Sequence, residues 1–111
     1  MVAIDSDKNI TIIRGDSADF EVELLEDDGE GGTKPYILQD GDDITFTVKK
    51  TTKTSEVLIQ KHGQIIHLNT EDTSMLNYGT YKYDIQFTRA DGYVDTVIPP
   101  KNFKITEEVT W

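Results

Sequence analysis

The run 79–89, GTYKYDIQFTR, constrains this chain more than any other stretch. Tyr81, Tyr83, Ile85 and Phe87 alternate with Lys82, Asp84, Gln86 and Thr88. A period of two over that length gives an extended strand with one apolar, aromatic face and one polar face. Asp91-Gly92 then signals a turn, and residues 93–98 are expected to run back alongside as a hairpin. The pair is expected at the middle of an antiparallel sheet whose Tyr/Ile/Phe face is buried.

The remainder of the chain reads as short strands between turn signals. Residues 1–9 form a loose lead-in, and 10–111 form one domain, because 111 residues leave no room for a second core. Residues 10–13 are a short strand closed by Arg14-Gly15-Asp16. Phe20, Val22 and Leu24 alternate with acids in a second strand. Residues 26–32 are an acidic, Gly-rich loop too poor in apolar residues to pack. Pro35, Tyr36, Ile37 and Leu38 make a brief apolar patch, read as an edge segment because Pro35 cannot donate to a ladder.

Ile44, Phe46 and Val48 mark another alternating strand. Residues 56–61 and 64–68, broken by Gly63, are expected to pair as a hairpin. Residues 70–76 have helical character, with a Thr or Asp as cap and Met75 and Leu76 folding beneath. Pro99-Pro100 is expected to interrupt pairing before a last strand at 102–106. The fold class that follows is all-β, an antiparallel β-sandwich of about seven to nine short strands. Leu76, then Gly79-x-Tyr81-x-Tyr83, favours an immunoglobulin-like version. There a tyrosine at a strand corner bonds back to upstream backbone, and Tyr83 takes the place of a core cysteine. A plain buried tyrosine explains Tyr81 as well.

Charge narrows the function classes. The net charge is −10, with acids spread along the sequence, which repels nucleic acid and anionic membrane. Lys49, Lys50 and Lys53 form the one basic cluster, in a Thr-rich turn read as a solvated tip. The absence of cysteine excludes disulfides and thiolate metal sites. No apolar run approaches the ~18 residues of a membrane helix. The opening MVAIDSDKN lacks the basic and apolar regions of a secretory signal, so synthesis in a cytoplasm is expected.

The sequence offers no catalytic, cofactor or metal assignment. His62 and His67 flank Gly63 and could face one another across a hairpin, but a metal needs three or four convergent ligands. Asp27, Asp28 and Glu30, and Asp40, Asp42 and Asp43, do not match a calcium loop, and Asp with Gly is also what turns require. No serine lies in GxSxG or SxxK. Arg14-Gly15-Asp16 spells an integrin-type tripeptide but more plainly starts a turn.

Three segments carry a resemblance: ITIIRGDSADFEVEL, DGDDITFTVKK with EVLIQKHG, and GTYKYDIQFTRADGYVDTVIPPKNFKITEEVT. The chain resembles small proteins and N-terminal modules of tailed phages and prophages of Gram-positive bacteria, including the N-terminal domain of baseplate upper proteins. The insert 28–34 departs from that pattern and suits a variable, partner-facing tip. A free-standing virion protein and a head domain both remain open. The resemblance implies a non-catalytic structural module of a tail or baseplate, located in the virion and made in the host cytoplasm. Its expected partners are other phage tail or baseplate proteins, or further copies of itself as a homo-oligomer. Expected contact residues are Tyr36, Ile37, Leu38, Val109 and Trp111, with the acidic loop 26–34. The alternative is a carbohydrate- or host-surface-binding module using Tyr36, Tyr78, Tyr93 and Trp111 on a host glycan. Aromatics gathered on one open face would favour sugar; aromatics buried with hydrophobic edges would favour assembly. A third reading, a regulator mimicking nucleic acid, would need carboxylates spaced along one face.

Overall fold

The computed structural model describes residues 2–4 and 7–107. Among these the fold is all-β, with ten strands and one short helix. The strands are β1 (Val2–Ile4), β2 (Ile10–Ile13), β3 (Ala18–Glu21), β4 (Leu25–Asp27), β5 (Thr33–Pro35), β6 (Asp43–Lys49), β7 (Ile59–His62), β8 (Ile65–Leu68), β9 (Gly79–Thr88) and β10 (Val94–Thr106). The helix α1 spans Thr70–Ser74.

Alternation builds the core. On β6, Ile44, Phe46 and Val48 are buried; on β9, Tyr81, Tyr83, Ile85 and Phe87 are. The two strands pair antiparallel, with Phe46 opposite Ile85 and Val48 opposite Tyr83. They are the fourth and fifth strands of a six-stranded sheet ordered β1-β2-β10-β9-β6-β7, in which β10 and β9 form the central pair. A two-stranded sheet, β3–β8, faces it. Phe46 joins the layers, its ring 5.5 Å from Phe20 on β3, 5.4 Å from Tyr83 and 6.1 Å from Phe103. Ile66 and Leu68 close the core from β8.

The structure differs from the sequence reading in several pairings. Residues 64–68 do not pair with 56–61: β7 joins β6, whereas β8 joins β3 in the opposite sheet. Gly63, at φ 112° and donating its N–H to Ile44 O, lets the chain leave one sheet for the other. Val2–Ile4, within the expected lead-in, pair with β2. Residues 26–32 are not a shapeless loop, because β4 and β5 form a hairpin with Glu26 opposite Lys34. Pro99 and Pro100 do not divide two strands. β10 runs through them and absorbs them in register shifts between Thr96 and Lys101. One pair departs from an antiparallel pattern: β2 runs parallel to β10. A parallel neighbour needs a long crossover, and the whole chain from β3 to β9 supplies it here.

Local chemistry fixes the corner before β9. Asp72 Oδ2 accepts the Asn69 N–H at 2.7 Å, so Asn69 with Asp72, rather than a Thr, starts α1. Leu76 packs on the core, but Met75 is exposed rather than folded beneath the turn. Tyr81 O–H donates to Asn77 O at 2.7 Å, the back-bond expected of a corner tyrosine. Tyr83 O–H donates to Lys8 O, tying the start of the chain onto the central strand.

A candidate assembly surface

One flank of the sandwich is open. β3 pairs only with β8, so its outer edge faces no strand among the described residues. β10 pairs with β9 along its length, but β2 covers only Phe103 to Thr106 on its other side. Between β3 and the first half of β10 lies a cleft of about 380 Å³ floored by Ile10, Phe20, Val22, Ile85, Val97 and Ile98. It adjoins a second cleft of about 300 Å³ that includes Leu24, Tyr36, Phe87 and Arg89. Glu23, Leu25 and Val97 line both, so the two form one groove along the flank. Leu25, which lines both clefts, is 58% exposed, an apolar side chain left in water at the groove.

The far end of the groove is held by a polar network. Asp42 Oδ2 accepts the Gln39 N–H at 2.9 Å and the Tyr36 O–H at 2.7 Å, while its Oδ1 accepts the Ala90 N–H at 3.0 Å. Those donors, the Gln39 amide foremost, hold the Asp42 carboxyl below its ordinary value. Its own hydrogen bond to Asp42 raises the Tyr36 hydroxyl. Tyr36 sets its ring edge against Phe87, centroids 5.3 Å apart. The Arg89 guanidinium lies 5.3 Å from the Tyr93 ring centre and 6.0 Å from that of Tyr36. Of the expected contact residues, Ile37 is 77% exposed, whereas Tyr36 and Leu38 are half-buried against the core. Val109 and Trp111 lie outside the described residues.

Beside this end stands the hairpin β4–β5, exposed at every residue from 29 to 35. Its carboxylates serve its own turn: Asp27 Oδ1 accepts the Gly29 N–H at 2.8 Å, and Asp28 Oδ1 those of Glu30 at 2.7 Å and Gly32 at 3.1 Å. Lys34 pairs with Glu26 at 3.6 Å.

The remaining candidate side chains are dispersed. His62 and His67 do not meet, because their strands belong to opposite sheets. His62 Nδ1 sits 2.9 Å from Asp43, and His67 pairs with Asp19 directly across β3–β8. Hydrogen bonding to Asp19 raises the His67 imidazole above its usual value. Asp84, on the outer face of β9, is raised by partial burial. Arg14-Gly15-Asp16 is a half-buried turn. Gly15 N–H donates to Thr73 Oγ1 at 2.9 Å, and the Arg14 guanidinium lies 4.9 Å from the Tyr78 ring centre. Tyr78 therefore lies at the end of β9 opposite Tyr36 and Tyr93.

Sequence reasoning missed Arg89 and the groove itself, and weighed Asp42 only as a calcium ligand. The adjacent apolar pair Val97-Ile98, which breaks alternation, was the available signal for an irregular strand. Neither a protein-family model, nor a curated protein, nor a solved structure matches this chain.

Proposed function

We propose that this chain is a non-catalytic structural module of a phage or prophage tail or baseplate, acting in the virion by protein–protein assembly. The observation that carries the assembly reading is the open flank: a groove with an apolar floor between β3 and the first half of β10, neither of which has a strand partner on that side among the described residues. The phage context comes from the sequence resemblance. The order β2-β10-β9-β6-β7 opposite β3–β8, with Tyr81 at the corner entering β9, supports the immunoglobulin-like version of the sandwich. The described candidate aromatics do not gather on one open face, as the glycan reading requires. Tyr36 and Tyr93 share one end with Arg89, whereas Tyr78 stacks on Arg14 at the other.

The test is peptide mass spectrometry of particles purified after induction of the encoding strain. The chain is expected at stoichiometric levels relative to known tail components. Clear expression in the lysate with absence from intact particles would overturn the proposal.

A further inference from the structure

We propose that residues 94–98 of β10 accept an extended strand from a partner protein, one in which apolar residues alternate with Lys or Arg. This rests on the assembly reading and names the chemistry of its partner.

Backbone geometry sets the register of the site. Residues 94–98 pair with β9 on one side and with no strand on the other among the described residues. Such a bare edge is a template for strand addition. Pro99 and Pro100 follow immediately and carry no N–H, so an added ladder ends there. The open stretch spans about 17 Å at ~3.3 Å per residue, enough for a short strand.

Side chains set the composition of the occupant. Alternate residues of an added strand point into the groove, against Phe20, Val22, Leu25, Val97 and Ile98, and must be apolar there. The others meet a rim of Glu21, Glu23 and Glu26, while Asp95, directly opposite Phe87, lies on the groove's own face. The groove's cations are Lys8 and Arg89, and Arg89 is stacked on Tyr36 and Tyr93. Four carboxylates against two cations select a basic segment. A second copy of this chain, at net charge −10, approaches against repulsion.

Amide hydrogen exchange on the full chain tests this, with a synthetic peptide of about nine residues alternating Val with Lys as the probe. Slowed exchange is expected at residues 94–98. A Val/Glu counterpart should bind about tenfold more weakly at low salt, the difference shrinking as salt is added. Leu25→Lys alters an exposed position shared by both clefts, so it should weaken the Val/Lys peptide while leaving the thermal transition unchanged. Unaltered exchange at 94–98, or equal binding of the two peptides, would overturn the proposal. So would protection at 94–98 that rises with protein concentration alone, since the occupant would then be a second copy. A chain found in particles that fails this test loses only the strand-acceptor role. A chain absent from particles that passes loses only the phage context.

Discussion

Tyr81 and Tyr83 lie two residues apart on β9, both buried, and their hydroxyls reach acceptors near and far in the sequence, Asn77 and Lys8. The first bond was legible because its acceptor is four residues away and the spacing with Leu76 and Gly79 defines a corner. The second was not, because nothing local to Lys8 announces a partner on β9. Replacing Tyr81 with Phe removes one hydroxyl while keeping the ring, so the expected loss is about 1 kcal/mol, read as a lower urea midpoint with unchanged slope. An unchanged midpoint would mean that Tyr81 is held by packing alone. Thr73 is the one buried polar side chain in the described core, and its Oγ1 accepts the Gly15 N–H. Thr73→Val preserves shape but strands that donor, with an expected cost of about 1–2 kcal/mol. His67 gives a pH-dependent case. Its folded-state pKa is raised by Asp19 above the unfolded value, so its contribution is fully present below about pH 6.5. It fades as pH climbs through the raised value. Urea midpoints at pH 6 and pH 8 should therefore differ by a small increment that His67→Asn removes; an identical pH dependence in both proteins would show that the exposed pair contributes nothing.

At the scale of elements, β6 and β9 were legible because each buries one face and exposes the other, so alternation is written in the sequence. The β7–β8 connection was not. Ile59 on β7, and Ile66 and Leu68 on β8, all point into the same core, and that pattern is identical whether the strands share a sheet or face one another. Only the backbone at Gly63 distinguishes the two. The β4–β5 hairpin escaped notice for a different reason: none of its residues is buried, so its pairing rests on turn chemistry around Asp27 and Asp28. The groove escaped as well, because an absence of strand partners leaves no mark in a sequence. Below the hairpin, the Tyr36 N–H donates to Leu24 O at 2.8 Å and closes its base. Replacing residues 27–33 with an Asn-Gly turn should therefore leave the sandwich within about 0.5 kcal/mol of its parent. A larger drop in the thermal midpoint would make the hairpin part of the folding unit rather than an appendage.

The whole molecule carries 21 acids against 11 Lys and Arg on a body of 52 × 27 × 23 Å. At about 0.01 M salt the screening length is roughly 30 Å, comparable to the two shorter dimensions, so carboxylates on opposite faces repel one another. At about 0.15 M it falls to roughly 8 Å, and only neighbours still interact. The closest Lys–carboxylate pair among the described residues is Lys61–Asp72 at 3.0 Å, which links β7 to α1. Lys34–Glu26 is longer and exposed. Exposed pairs contribute about 0–1 kcal/mol each, too little to offset an excess of ten negative charges. Raising NaCl from about 0.01 to 0.15 M is therefore expected to raise the thermal midpoint, because screening relieves more repulsion than attraction. The same screening should weaken a basic strand held at the acidic rim, so stability and partner affinity should move in opposite directions with salt. A thermal midpoint that fell with added salt would reverse this balance and mean that a few specific pairs, Lys61–Asp72 foremost, outweigh the net charge.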